Sequence, residues 1–158
     1  TGVATPELYP DLFRRLVEEF GHDRQENIIY PQVYKSNAFI GNYLRLMMLA
    51  DNGEAARLSR ECVSYFYNMA KLTGTLWEHD DTRASLNHGF ASYVAVLLVR
   101  YATGYGGRRG NRLRFFDAAS DMDCSLTLPL EKGALRYVRK NGEVQIKIPE
   151  GYYIEERI

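Results

Sequence analysis

Ser85-Leu86-Asn87-His88-Gly89-Phe90-Ala91-Ser92-Tyr93-Val94-Ala95-Val96-Leu97-Leu98-Val99-Arg100-Tyr101-Ala102 decides how the chain is read. From Phe90 to Val99 it is apolar almost all round. The pattern predicts a helix from about residue 85 or 88 to residue 102, buried on most of its surface. Such a helix needs neighbours on several sides. The sequence before it predicts only three more helices, so the expected assembly is helical and short of partners.

Upstream, Thr5-Pro6-Glu7 has the chemistry of a helix start: Thr as N-cap, Pro in the first turn and an acid behind it. Leu8, Leu12, Leu16 and Phe20 follow at four-residue spacing with Phe13 and Val17 beside them, and Gly21 ends the stripe. The span from His22 to Pro31 reads as a polar loop. A second helix is expected over 33–50, with a face made of Phe39, Ile40, Tyr43, Leu44, Met47 and Met48. Asp51-Asn52-Gly53 is turn chemistry. A third helix is expected over 54–71, with Leu58, Cys62, Phe66 and Met69 inward and Arg57, Arg60 and Glu61 outward. The short turn predicts an antiparallel helical hairpin.

Downstream the period changes. Gly104-Tyr105-Gly106-Gly107-Arg108-Arg109-Gly110 lacks the spacing of a phosphate-binding loop and reads as a flexible, solvated connector. Arg114 to Asp117 and Ser125 to Leu128 read as short strands. Asn141-Gly142, between 135–140 and 143–148, is a hairpin signal, with Val144, Ile146 and Ile148 facing in and Glu143, Gln145 and Lys147 facing water. After Pro149-Glu150-Gly151, Tyr152-Tyr153-Ile154 starts one more strand. The fold class expected is mainly α with a small antiparallel β unit. The domains are 1–105 for the helices and 106–158 for the β part.

Twenty basic and twenty acidic residues cancel, which argues against a nucleic-acid partner. The longest apolar run is too short to span a bilayer, and Thr1-Gly2-Val3-Ala4 has neither a basic stretch nor an apolar run of the signal-peptide kind. No membrane partner is expected, and the compartment stays open. Cys62 and Cys124 form no CxxC pattern and are expected as small buried thiols.

The chemistry concentrates between the third and fourth helices, in Gly74-Thr75-Leu76-Trp77-Glu78-His79-Asp80-Asp81-Thr82-Arg83-Ala84 and the residues up to Phe90. This stretch holds the only Trp, and a polar loop carried by helices is where functional groups gather. A metal site from His79, Asp80, Asp81 and His88 lacks a recognised ligand spacing, so neither metal nor cofactor is expected. Trp77-Glu78 has the makings of a sugar site: an aromatic for a pyranose C–H face and a carboxylate for hydroxyls or water. The residues alone equally describe a solvated turn, with Asp80 and Asp81 favouring the dipole of the next helix and Ser85 or Asn87 capping it. On the residues alone that plainer reading leads.

The run Thr75 to Asp81, followed by Ala84-Ser85-Leu86-Asn87-His88-Gly89-Phe90-Ala91-Ser92, resembles the last helical hairpins of bacterial α-L-rhamnosidases, glycoside hydrolase family 78. Asn37-Ala38-Phe39-Ile40-Gly41-Asn42-Tyr43-Leu44-Arg45-Leu46 is similar to the same family. So is Val144-Gln145-Ile146-Lys147-Ile148-Pro149-Glu150-Gly151, which matches the β-sandwich that follows its barrel. The likeness runs from about Phe20 to Gly151. It implies the C-terminal hairpins of an (α/α)6 six-hairpin barrel followed by part of a β-sandwich. The activity it implies is carbohydrate metabolism: removal of terminal α-L-rhamnose with inversion.

Carried over residue by residue, the resemblance makes Glu78 the general base. His88 becomes a sugar contact, and Trp77 lines or supports the pocket. Asp80 and Asp81 receive no role. The resemblance puts the general acid in an acidic stretch much earlier in the family's barrel, with no counterpart in this sequence. The expectation is therefore a fragment of a hydrolase that is inactive by itself. Its partners would be a rhamnose-containing glycoside or polysaccharide and the rest of the barrel, with self-association through exposed apolar helix faces. Two alternatives stand: a non-catalytic helical module binding a glycan or protein, and a piece of a related six-hairpin glycosidase with another sugar specificity.

Overall fold

The computed structural model describes residues 4–21, 31–33, 38–117 and 120–155. The loop expected from residue 22 lies outside them as far as residue 30, as does Asn37. The helices are α1 (Pro10–Glu19), α2 (Phe39–Asp51), α3 (Ala55–Thr73) and α4 (Tyr93–Thr103), the last preceded by a 3-10 turn, Gly89–Ser92. The strands are β1 (Tyr105–Arg109), β2 (Arg112–Phe115), β3 (Cys124–Leu130), β4 (Gly133–Lys140), β5 (Glu143–Lys147) and β6 (Tyr153–Glu155). They fall into two units, 1–49 with 61–92 and 50–60 with 93–158.

In the first unit α1 starts later than its capping signal. Thr5 does accept from the Leu8 N–H at 3.4 Å, but the turn it caps ends at Tyr9. Pro10 follows, and a residue before proline is driven out of the helical region. Tyr9 accordingly sits at φ −135°, and Pro10 takes the first helical position. No residue of α1 is fully buried, and Leu8 and Leu12 face solvent.

Two expected faces differ from those formed. The buried residues of α2 are Asn42, Arg45, Leu46 and Leu49, while Ile40 and Leu44 are exposed. Glu61, expected outside, is buried. One contact explains both. Arg45 donates to Glu61 through Nε at 2.6 Å and Nη2 at 2.7 Å, with both side chains about 5% exposed. The same guanidinium donates to the carbonyls of Leu16 and Val17. Charges this deep persist only when paired and fully hydrogen-bonded. Arg45 and Glu61 lie equally far from Gly53 in sequence, so α2 and α3 fold back on one another. The α3 stripe Cys62, Phe66 and Met69 is buried, joined by Tyr65. Both cysteines are free thiols. Cys62 is buried, and burial, reinforced by the Glu61 charge, pushes its thiol up to about 12.

In the second unit Gly53 carries the turn after α2 at φ +79°. Among the described residues α4 buries Val94, Leu97, Ala102 and Thr103. Tyr93 and Val96 are exposed, so the helix is covered on one side rather than on most of its surface. Neither Ser85 nor Asn87 caps it, because the 3-10 turn intervenes. Thr103 Oγ1 donates back to the Val99 carbonyl, and Gly104 at φ +77° closes the end.

The span read as a flexible connector is strand β1, paired antiparallel with β2 and bulged between Tyr105 and Gly107. The glycines there answer to space. A Cβ on Gly106 would stand 3.3 Å from the Phe116 ring.

The strands make two three-stranded sheets, β1-β2-β6 and β3-β4-β5. β2 pairs with β6 in parallel, a departure from the all-antiparallel expectation. The β4–β5 turn has Asn141 at φ +52° and Gly142 at φ +81°, the left-handed pair that a two-residue hairpin needs. Val144 of β5, expected inward, is exposed. The two sheets share one core, with Leu113 and Phe115 from β2, Leu135 and Tyr137 from β4, and Tyr152. Phe115 and Tyr137 stack at 6.4 Å. Arg139 of β4 donates to the carbonyls of Ala102 and Ser120, tying the end of α4 to the sheets.

Candidate functional site

The stretch that carries Glu78 is built from the end of α3 outward, within the first unit. Gly74, at φ +72°, ends the helix by donating to the Ala70 carbonyl at 2.9 Å. Thr73 is the hub. Its Oγ1 donates to the Met69 carbonyl, accepts the Trp77 indole N–H at 2.8 Å, and lies 2.7 Å from Thr75 Oγ1. Trp77 is only 5% exposed, with its N–H fully used.

From Trp77 onward the backbone is held on both edges. On one side Glu78 N–H donates to the Ser85 carbonyl at 2.9 Å, and His88 N–H donates to the Leu76 carbonyl at 2.8 Å. Thr75 Oγ1 adds a bond to the Leu86 carbonyl. On the other side Phe39 N–H donates to the Glu78 carbonyl at 2.8 Å, and Ala38 pairs with His79 as an antiparallel bridge. Residues 76–79 are therefore held between two neighbours, one of them the start of α2. A loop held in this way keeps its side chains in fixed directions.

The side chains so placed are Glu78 and His88. The Glu78 carboxylate is 38% and the His88 ring 25% exposed, and Oε2 stands 3.9 Å from Nδ1. That distance is an ion pair when the imidazole is protonated. His88 packs on Phe39 with ring centroids 4.5 Å apart, and on Phe90 at 5.9 Å. Phe39 and Phe90 are nearly parallel at 6.3 Å. A half-exposed carboxylate, an imidazole and two aromatic rings thus lie together. This set can hold hydroxyls and water on its polar side and a C–H surface on its apolar side.

Neither Phe39 nor Phe90 was singled out from the sequence, where both counted as helix packing residues. Their meeting depends on the bridge between residues 38–39 and 78–79, which no local period announces.

Asp81 takes a structural part. It accepts from the Arg83 backbone N–H at 2.9 Å and from the Arg83 guanidinium at 2.6 and 3.0 Å. These bonds hold its carboxyl well down, at about 2. Asp80 and Asp81 lie near enough to Tyr65 for their charges to act on its phenol. Burial, then these two charges, raises the Tyr65 phenol above its usual range. Among the described residues no group of three or more His, Cys, Asp or Glu side chains is arranged to hold a metal ion, and no helix is long and apolar enough to cross a membrane. The third histidine, His22, lies outside the described residues.

No protein-family profile, no curated protein and no solved structure matches the chain.

Proposed function

We propose that the chain contributes one side of the active site of an inverting glycoside hydrolase acting on terminal α-L-rhamnose, with Glu78 as general base. The observation that carries this reading is the placement of Glu78. It is braced on both backbone edges, partly open to solvent, and 3.9 Å from a histidine packed against the Phe39 and Phe90 rings. In the reaction Glu78 takes a proton from a water as its oxygen attacks the anomeric carbon. A carboxylic acid on the other side of the bond, about 6.5–9.5 Å away, protonates the departing oxygen. His88 holds a sugar hydroxyl. Trp77 fixes the segment from beneath through Thr73.

The resemblance assigns the acid to an acidic stretch much earlier in a six-hairpin barrel, with no counterpart among residues 1–158. The reading therefore makes the remaining helices the first partner of this chain. Surface supports that partner: Ile40 and Leu44 on α2, and Val63 and Tyr67 on α3, are exposed apolar pairs at helical spacing.

The test is an aryl α-L-rhamnoside. Residues 1–158 tested by themselves bind it and release no rhamnose, since the reading places the acid outside them. Release abolished by Glu78→Gln would overturn the half-site part of the proposal. Failure to bind any rhamnoside would overturn the sugar reading itself.

A further inference from the structure

Phe90 is 80% exposed, the most exposed of the large apolar side chains described. One exposed ring is ordinary on a protein surface, so a reason for this one has to come from its neighbours. Its neighbours supply one. The ring is near-parallel to Phe39 at 6.3 Å and flanks His88 at 5.9 Å. Phe39 is fixed in turn, because its N–H is the one bonded to the Glu78 carbonyl. The exposed ring and Glu78 therefore share two neighbours, His88 and Phe39. The 3-10 turn that carries it is pinned as well: Ala91 N–H donates to the His88 carbonyl at 3.0 Å, and Ser92 Oγ donates to Gly89 at 2.6 Å.

A pyranose has the complementary build, with hydroxyls around its rim and an apolar face of C–H bonds. We infer that Phe90, backed by Phe39 and His88, is the stacking platform for the sugar ring and holds its C–H face while Glu78 and His88 meet the hydroxyls. This rests on the reading of Glu78 and His88 as a sugar site and adds the residue that positions the ring. An apolar protein partner would also cover a phenyl group. The carboxylate and imidazole beside the ring favour an amphipathic ligand instead, because an apolar partner would strip water from both without replacing its hydrogen bonds.

The experiment is an NMR titration of the 15N-labelled chain with methyl α-L-rhamnoside, run on the wild type, Phe90→Ala and Phe90→Trp. Saturation transfer from protein to sugar is read alongside. Removing so exposed a ring leaves the fold intact, which the unchanged spectrum of α2 and α3 will verify. Phe90→Ala weakens binding about tenfold, and the sugar C–H signals lose their saturation. Phe90→Trp binds at least as well as the wild type. Equal binding by wild type and Phe90→Ala overturns the platform while leaving the sugar reading standing. So does a Trp variant as weak as the Ala variant, or a change confined to self-association. A wild type that binds no rhamnoside overturns both.

Discussion

The backbone N–H of Phe39 donates to the carbonyl of Glu78 at 2.8 Å, joining the first residue of α2 to the residue proposed as catalytic base. Helix α2 is long and partly buried, so the bond passes its rigidity to a segment with no regular structure of its own. The same peptide carries the ring that packs on His88. Phe39 thus contributes both to the position of Glu78 and to the packing of its histidine neighbour.

If this clasp holds in solution, the amides of Phe39, Glu78 and His88 are protected together. In a hydrogen-exchange experiment they exchange on the timescale of the α2 and α3 interiors. Exchange at the rate of an open loop would mean that the segment is not braced.

The Arg45–Glu61 pair predicts an asymmetric response. Either Arg45→Met or Glu61→Gln alone leaves a buried charge uncompensated and destabilises by about 3–5 kcal/mol in urea unfolding. Arg45→Met also strips the donor from Leu16 and Val17. The double change Arg45→Met/Glu61→Leu recovers much of the loss, since two apolar side chains leave no charge behind. Additive losses would show that the pair is not coupled.

Asp81 gives a pH prediction. Its folded carboxyl titrates at about 2, below the ordinary carboxylate range, chiefly because of the Arg83 hydrogen bonds. A depressed carboxylate contributes its stabilisation fully above the unfolded value, and the contribution fades as pH falls towards 2. The effect on overall stability is small, since the pair lies at the surface, where solvent screens it. Carboxyl NMR should place Asp81 near 2 in the wild type and back in the usual range in Arg83→Ala. An unchanged Asp81 in that variant would remove Arg83 as the cause.

The exposed faces of α2 and α3 predict concentration-dependent self-association of the isolated chain. Sedimentation velocity should show it, and Val63→Lys/Tyr67→Lys should shift the distribution towards monomer. A wild type that stays monomeric at high concentration would count against these faces as contact surfaces.

Local signals in the sequence carried a good part of the fold. Asn141-Gly142 forms its hairpin because two left-handed residues admit little else, and the α3 stripe Leu58, Cys62, Phe66 and Met69 is buried because its spacing matches a helical turn. Long-range contacts were not legible. Glu61 reads as a surface acid until Arg45 is known to meet it, and that meeting also turns α2 to a face the apolar pattern does not mark. The glycines of 104–110 signal freedom, yet two of them serve a helix end and a close approach to Phe116. At the site, Trp77, Glu78 and His88 stood out by residue type. The rings of Phe39 and Phe90 did not, since only the bridge between Ala38 and His79 brings α2 to the loop.

The central claim is that Glu78 and His88 face a rhamnoside. Its most direct measurement is the amide spectrum of the chain during titration with methyl α-L-rhamnoside. The account predicts saturable shifts at Glu78, His88 and Phe90, with His88→Ala weakening binding about tenfold through the lost hydrogen bond. Shifts absent from these residues, or binding unchanged by His88→Ala, would contradict it.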